Sequence, residues 1–278
     1  MPDNQISYNM PLADPLSFAV SERDTETLRM VRDALHRGDA FLAYQPIVMA
    51  ADPSRAAFYE GMIRIRDRSG RVIPAREFIY VAETDELGRR IDALALDLGL
   101  KTLARNPGIR LSINMSARSI GYAPWADALT RGLQADPTVA ERLILEITES
   151  SAMVMPDVVA AFMDGLQVRG VSFALDDFGA GYTAFRYLRE FFFDAIKIDG
   201  QFVQGIAHNP DNQVLARALI SIGQHFEMFT VAEMVTNEED AAFLQDAGID
   251  CLQGYLYGAP AMHEPWLTPG TMPVQGTG

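Results

Sequence analysis

The sequence predicts an α/β protein, because short apolar strands alternate with amphipathic helices along most of the chain. Its 278 residues suit one large domain, since α/β barrels of this size fold as a single unit. Apolar residues make up 49% and charged residues 22%, which is typical of a globular chain. These observations predict either a closed, parallel α/β barrel or a doubly wound sheet.

The first elements differ from the rest of the chain. Residues 1–24 contain several prolines and no apolar period, which predicts a loose N-terminal arm. Apolar residues on one face predict a helix over Thr25–Arg37. Strands follow at Ala40–Val48 and Ala56–Ile65, with turn residues at Asp52-Pro53-Ser54. These two strands are too close for a crossover helix, so an antiparallel pair is expected.

Six helix–strand pairs then follow in a regular rhythm, each predicted from a helical period that leads into a short apolar run. In order they are Glu86–Arg105 with Arg110–Met115, Pro124–Gln134 with Leu143–Ile147, Pro156–Val168 with Val171–Asp176, Thr183–Phe191 with Ala195–Ile198, Asn212–Phe226 with Phe229–Ala232, and Asn237–Ala247 with Cys251–Leu256. Residues 265–278 are rich in Pro, Gly and Thr, which predicts a C-terminal tail. The predicted domain therefore covers residues 25–264.

Charge and cysteine content exclude several classes of protein. The 23 Lys and Arg residues against 37 Asp and Glu residues give a formal charge of −14, which argues against a surface that binds DNA. Cys251 is the only cysteine, so no intramolecular disulfide can form. The N-terminus has no basic residue before Arg23, unlike a secretory signal, and no apolar run is long enough to span a membrane. We expect a cytoplasmic protein that binds neither DNA nor a membrane.

Polar residues recur near the C-terminal ends of the predicted strands, where α/β folds build their sites. They are Glu60, Asn114, Glu146, Glu149, Asp176, Asp177, Lys197, Asp199, Glu233 and Gln253. Taken singly, such acids are more often surface or salt-bridged groups. Taken together, their oxygen atoms suit Mg²⁺ or Mn²⁺, and the adjacent Asp176 and Asp177 suit a two-metal phosphoesterase. Lys197 would orient a nucleophilic water or neutralise phosphoryl charge.

Eight short motifs, in this order, resemble the EAL domain family, bacterial phosphodiesterases of the second messenger cyclic di-GMP. The resemblance covers about Thr25 to Met262, nearly the whole chain. The motifs are Tyr44-Gln45-Pro46-Ile47, Glu60-Gly61-Met62-Ile63-Arg64, Asn114-Met115-Ser116-Ala117-Arg118, Leu145-Glu146-Ile147-Thr148-Glu149-Ser150, Asp176-Asp177-Phe178-Gly179-Ala180-Gly181-Tyr182, Lys197-Ile198-Asp199, Ala232-Glu233 and Gln253-Gly254-Tyr255.

The resemblance implies a (β/α)8 TIM-like barrel with its first strand antiparallel, and hydrolysis of cyclic di-GMP to linear pGpG with two Mg²⁺ or Mn²⁺ ions. It implies a homodimer, with Glu149 anchoring the loop at the usual dimer contact. Arg64, Gln45 and Gln253 would bind the substrate, and Lys197, Glu233 and Glu60 would be catalytic. The implied metal ligands are Glu60, Asn114, Glu146, Asp176, Asp177 and Glu233.

The chain departs from the family pattern at two places. The name-giving triplet reads Glu60-Gly61-Met62, which keeps the carboxylate but loses a side chain at Gly61. The family motif A-E-G-V-E reads Ala232-Glu233-Met234-Val235-Thr236, so its second carboxylate is lost, and Glu238 and Glu239 are the candidate replacements. Since the implied ligand set is complete, we expect a phosphodiesterase.

Two other functions remain open at this stage. One is a receptor that binds cyclic di-GMP without hydrolysis and signals through a regulatory protein partner. The other, from fold alone, is a barrel enzyme that uses Mg²⁺ and a lysine base on a small anionic metabolite. The first motif and the Asp176–Tyr182 segment argue against this last interpretation.

Overall fold

The fold is a closed barrel of eight strands surrounded by helices, as seen in a computed structural model that describes residues 15–181 and 188–267. The strands are β1 (Ala40–Met49), β2 (Asp52–Arg66), β3 (Val72–Pro74), β4 (Leu111–Asn114), β5 (Leu143–Thr148), β6 (Ser172–Phe178), β7 (Ala195–Ile198), β8 (Phe229–Ala232) and β9 (Cys251–Gln253). Their order around the barrel is β1-β9-β8-β7-β6-β5-β4-β2, closed by pairing of β1 with β2, while β3 extends from the edge of β2.

The first strand runs antiparallel to both of its neighbours, and the other barrel pairs are parallel. Only two residues separate β1 from β2, which leaves no room for the crossover that a parallel pair requires. In this register Gln45 lies opposite Glu60, and Ile47 lies opposite Gln253. The predicted TIM-like barrel with an antiparallel first strand is confirmed.

The described helices pack around the barrel or lie in its connecting loops. They are α1 (Pro15–Arg37), α2 (Ile79–Ala82), α3 (Glu86–Arg105), α4 (Ala123–Ala135), α5 (Glu149–Ala152), α6 (Pro156–Gln167), α7 (Gly200–Val203), α8 (Pro210–His225) and α9 (Glu238–Asp246). Helix α3 buries Leu96 and Leu103 against the barrel side of the molecule. None of the described helices is long and apolar enough to cross a membrane.

Helix α1 differs from the sequence prediction, because it begins at Pro15 rather than Thr25. The predicted arm is thus helical from Pro15 onward, while residues 1–14 lie outside the described residues. The apolar period is weak between Val20 and Glu26, because most side chains in this part of α1 are exposed and do not pack against the core. Val31 and Ala34, farther along, are fully buried.

The end of the last strand and the start of the predicted tail also differ from expectation. Strand β9 stops at Gln253 because the chain then turns, with the Tyr257 backbone N–H donating to the Gly254 carbonyl at 3.1 Å. The predicted tail begins with a short 3₁₀ helix at Pro265–Leu267, whose Trp266 ring packs edge-on against Tyr44 at 4.9 Å. Most of the predicted helix Thr183–Phe191 lies outside the described residues, as do residues 268–278.

Candidate active site

The barrel brings polar residues from six neighbouring strand ends to one place. Parallel pairing aligns Asn114 with Glu146, and Lys197 follows on β7. Glu233 comes directly after β8, and Gln253 ends β9. Residues at alternate positions of a strand face the same side of the sheet. These side chains therefore point into the barrel near the C-terminal ends of its strands. Most of the strand-end residues that the sequence analysis selected therefore lie together in the structure.

Lys197 lies at the centre of this group and is 1% exposed. Its ammonium contacts one carboxylate from each of four elements of the barrel. The distances from Lys197 Nζ are 3.3 Å to Glu60 Oε2, 2.8 Å to Glu146 Oε2, 3.0 Å to Asp176 Oδ1 and 2.7 Å to Glu233 Oε1. We call Lys197 and these four acids the central cluster. One cation against four carboxylates, three of them buried, leaves an excess of negative charge.

The pKa values in the central cluster reflect this imbalance. Burial opposes the Lys197 ammonium, but the surrounding carboxylates raise its pKa well above the ordinary value. Burial, followed by the charge of Glu60, raises the pKa of Glu146 to about 8. Burial also raises the pKa of Glu233 well above its ordinary value. These acids bind protons readily, because a single ammonium cannot compensate four closely spaced carboxylates.

Glu60 is the best supported acid of the central cluster. Burial opposes its ionisation, but Lys197 and the two amide donors lower its pKa. Gln253 Nε2 donates to Glu60 Oε2 at 2.6 Å, and Asn114 Nδ2 donates to Glu60 Oε1 at 2.8 Å. Gln253 Nε2 also donates to Gln45 Oε1 at 3.1 Å. Gln45 and Gln253, the two predicted substrate-binding glutamines, are both buried. Gln253 orients Glu60 directly, and Gln45 acts on Glu60 through Gln253.

The donor set fits a divalent cation. Asp176, Asp177 and Glu233 each offer an oxygen, and these atoms lie within 4.8 Å of one another. Glu146 Oε1 is buried and accepts no hydrogen bond from any part of the chain that the structure describes. Such an atom is costly to bury unless a cation or water binds it. This acidic cluster can therefore hold a metal ion, and carboxylate oxygens favour a hard one.

Asp177 and Met234 have unusual backbone conformations beside the cluster. Their φ angles are both +55°, in the left-handed region that side chains other than glycine disfavour. Burial, followed by the charges of Asp176 and Asp199, raises the pKa of Asp177 to about 6. The Met234 side chain covers Gly200, where a Cβ would lie 2.3 Å from the sulfur atom. Both residues lie where strained conformations are common, at the edge of a functional site.

Two predicted residues lie at the rim of the site rather than in the cluster. Arg64 is half-buried, and its guanidinium donates to the Ile63 carbonyl at 3.0 Å. Burial and the neighbouring Arg76 lower the pKa of Arg64. Glu149 Oε2 accepts the Gly179 backbone N–H at 3.2 Å, which links the start of α5 to the loop after Asp177.

The departure at Gly61 has a structural explanation, whereas the carboxylate lost at Thr236 is not replaced. A Cβ at Gly61 would lie 2.8 Å from Ile113 Cδ1, so the isoleucine fills the space that a side chain would need. Neither candidate replacement for the carboxylate lost at Thr236 reaches the central cluster. Glu239 pairs with His208 at 2.8 Å, and Glu238 is exposed in the first turn of α9.

Sequence reasoning missed Asp92 and Ser151, which bind the loop after β4. Asp92 Oδ2 accepts the Ser116 backbone N–H at 2.9 Å and the Ser119 hydroxyl at 2.6 Å. Ser151 Oγ accepts the Ala117 backbone N–H at 2.8 Å. The available signal was a carboxylate at position 92 on the apolar face of the predicted helix.

Curated relatives of this chain include two enzymes named for cyclic di-GMP hydrolysis. Cyclic di-GMP phosphodiesterase NbdA of Pseudomonas aeruginosa is 31% identical over 246 residues, which cover 86% of this chain and 31% of that protein. Cyclic di-GMP phosphodiesterase PdeB of Shewanella oneidensis is 31% identical over 234 residues, which cover 83% of this chain and 27% of that protein. This chain therefore spans about a third of the length of these relatives.

Two solved structures and one family model also match this chain over most of its length. The PaMucR phosphodiesterase in complex with c-di-GMP superimposes with a TM-score of 0.79 at 29% identity, covering 87% of this chain and 100% of that one. The FimX EAL domain from Pseudomonas aeruginosa, bound to c-di-GMP, gives a TM-score of 0.78 at 25% identity, covering 86% and 97%. The family model of the EAL domain matches residues 28–260. Because this match covers most of the sequence, the chain belongs to the EAL domain family.

Proposed function

We propose that this chain hydrolyses one phosphodiester bond of cyclic di-GMP to linear pGpG, using two Mg²⁺ or Mn²⁺ ions. The central cluster carries the proposal, because four carboxylates converge on one buried lysine at the C-terminal mouth of a barrel. The named phosphodiesterases among the relatives support the same reaction. Neither Gly61 nor Thr236 belongs to the proposed ligand set, so their departures leave it complete.

We assign the metal ligands as two overlapping sets. The proposed ligands are Glu60, Asn114, Glu146 and Asp176 for one ion, and Asp176, Asp177 and Glu233 for the other. The bare Glu146 Oε1 and the close approach of the second set support this assignment. When bound, the ions would supply positive charge to the phosphoryl oxygens and make a water molecule more acidic.

Glu233 and Lys197 would manage the attacking water. Glu233 Oε1 lies 2.7 Å from Lys197 Nζ, so the two groups can contact the same small molecule. A carboxylate that contacts a bound water can accept its proton, which is the general-base role that we assign to Glu233. Lys197 stays charged because its pKa is raised, and its N–H donors would orient the water oxygen.

Substrate binding requires local positive charge on a chain with a net charge of −14. Arg64 is the candidate in our proposal, since the charge of Glu60 acts on its pKa. Its guanidinium donates to the Ile63 carbonyl at 3.0 Å and to Met62 Sδ at 3.8 Å, and it retains further donors for a phosphate. Gln45 and Gln253 would act by holding Glu60 and the floor of the binding site.

The remaining parts of the proposal concern the molecule as a whole. We propose a homodimer, with Glu149 anchoring the contact loop, and exposed Val154 and Val158 near the start of α6 support an apolar contact. A cytoplasmic location, a regulatory protein partner and a domain limited to residues 25–264 belong to the same proposal. Sedimentation of the purified protein tests the dimer directly.

The test of activity is incubation of the purified protein with cyclic di-GMP and Mg²⁺ or Mn²⁺, followed by chromatographic separation of the products. Appearance of pGpG is expected, and Glu233→Gln should abolish it. Glu239→Gln is the matched control, because Glu239 is an exposed acid that pairs with His208 outside the cluster. Full activity of Glu233→Gln would contradict the proposed base.

The same experiment separates the enzyme from a receptor. Intact cyclic di-GMP after long incubation, with binding detected by calorimetry, would favour the receptor. Binding of the anionic dinucleotide should weaken when a chelator removes the metal, because the cluster is then left with a single cation. Unchanged affinity in the chelator would count against metal-assisted binding.

A further inference from the structure

Asp92 is a buried acid outside the central cluster. It lies on α3 and is 8% exposed. No lysine, arginine or histidine forms an ion pair with it within the described parts of the chain. Its partners are the Ser116 backbone N–H and the hydroxyl of Ser119, a fully buried residue, both donating to Oδ2.

A lone buried carboxylate is expensive, because ionised groups lose their hydration. Burial raises the pKa of Asp92 to about 6, which reflects this cost. The neighbouring positions on the buried face of α3 are apolar, among them Ile91 and Leu96. A leucine at position 92 would continue that apolar face without the cost of a buried charge. The carboxylate at position 92 is therefore best explained by the loop residues that donate hydrogen bonds to it.

Asp92 holds the loop that begins directly after Asn114. The same loop is held from its other side, where Ser151 Oγ accepts the Ala117 backbone N–H at 2.8 Å. Ser151 lies in α5, whose first turn is capped by the Thr148 side chain. The loop is thus fixed between α3 and α5, immediately beside the end of β4.

Asn114 depends on this arrangement. Its Nδ2 donates to Glu60 Oε1 at 2.8 Å, which turns the amide oxygen away from Glu60. Strand β4 has only four residues and ends at Asn114, so the following loop limits how far the strand end can move. Residues that orient a metal ligand without touching the metal commonly change its affinity 10- to 100-fold, by order of magnitude.

We propose that Asp92 is a positioning residue for the metal site, acting through the Ser116–Ser119 loop on Asn114. This inference rests on the proposed function, in which Asn114 is a metal ligand. The acceptor atom is what matters, since both hydrogen bonds go to one carboxylate oxygen. An asparagine at position 92 keeps such an acceptor, and a leucine of similar size removes it.

The test is calorimetric titration of the metal-free protein with Mn²⁺ alone. Asp92→Leu should weaken Mn²⁺ affinity about tenfold, whereas Asp92→Asn should stay within about threefold of the wild type, since it keeps the acceptor. Asp97→Asn is the matched control on the same helix, because Asp97 pairs with Lys101 at the surface. Folding of each variant is checked by circular dichroism. Wild-type affinity in folded Asp92→Leu overturns the inference, and equal weakening in Asp92→Asn overturns the acceptor role.

Two further variants keep the test decisive. Ser151→Ala removes the opposite support of the loop and should weaken Mn²⁺ binding even if Asp92→Leu does not fold; wild-type affinity in that case overturns the inference. Asn114→Ala distinguishes the proposed ligand role of Asn114 from the positioning role of Asp92. Wild-type affinity in Asn114→Ala would overturn the proposed ligand itself, whereas weakening there without weakening in Asp92→Leu would overturn only the positioning role.

Discussion

The central cluster and Asp92 are both buried acidic regions, but the molecule compensates them differently. In the cluster, four carboxylates share the Lys197 ammonium at distances from 2.7 to 3.3 Å. Asp92 has no cation and accepts two hydrogen bonds from the loop after β4. The cluster keeps an excess of negative charge that suits added cations, whereas Asp92 fixes a backbone segment. Burial of an acid therefore does not by itself identify a metal ligand.

The largest effect is expected from removing the cation of the cluster. Lys197→Met should destabilise the metal-free protein by about 3 to 5 kcal/mol at neutral pH, because buried carboxylates then lack their partner. Urea unfolding in the presence of a chelator measures this. Lys101→Met, which breaks an exposed pair with Asp97, should cost less than about 1 kcal/mol. Equal losses in the two variants would remove the distinction between buried and surface pairs.

Titration of Asp92 should give the next largest effect. Its folded pKa of about 6 lies above the ordinary 3.8, so the native state binds the proton more tightly than the unfolded state. Stability should fall by about 2 to 3 kcal/mol as pH rises from about 4 to about 6, and Asp92→Asn should lose this contribution. The measurement is the difference in unfolding free energy between wild type and Asp92→Asn across that range. A constant difference would contradict the raised pKa.

The apolar packing beside Glu60 of the central cluster can be tested at Gly61. A Cβ there would lie 2.8 Å from Ile113 Cδ1 and 3.3 Å from Leu42 Cδ1. Gly61→Ala should therefore cost about 1 to 3 kcal/mol through overpacking. Addition of Ile113→Val removes the offending methyl and should recover part of the loss. Thermal unfolding of the single and double variants decides this, and no loss in Gly61→Ala would show that Ile113 moves freely.

The smallest effect is expected at Met234, beside Glu233. Its φ of +55° is unfavourable for a side chain, so Met234→Gly should relieve strain. The added flexibility of the unfolded chain offsets part of this gain, which leaves a net stabilisation below about 1 kcal/mol. A matched change at Asp177, which has the same φ, would also remove a proposed ligand and is therefore less informative. A lower melting temperature for Met234→Gly would show that the side chain contributes more than the strain costs.

Strands such as β7 and β8 were predictable, because their apolar runs are short and bounded by turns. The predicted Ala195–Ile198 and Phe229–Ala232 coincide with β7 and β8. The alternation of strands and helices alone did not distinguish a closed barrel from a doubly wound sheet, because both give the same pattern. The resemblance of the motifs favoured the barrel. Helix α1 was only partly predictable, because most of its side chains from Val20 to Glu26 are exposed.

The site was predictable to the extent that it lies on strand ends. Glu60, Glu146 and Lys197 interrupt apolar runs, and the barrel brings them together. Asp92 could not be connected to Asn114 from sequence, because 22 positions separate them and the contact passes through a loop of irregular backbone. The support that Gln253 gives Glu60 depended on the antiparallel register of β1, which sequence spacing does not reveal.

The lysine inside the cluster has a practical consequence for work with purified material. A barrel with its own internal counter-ion keeps four of its acids paired when a chelator is present. Preparations stripped of divalent ions should therefore remain folded and usable. Each ion can then be added to an identical starting sample, so that differences in rate between preparations reflect the choice of ion and not the history of the protein.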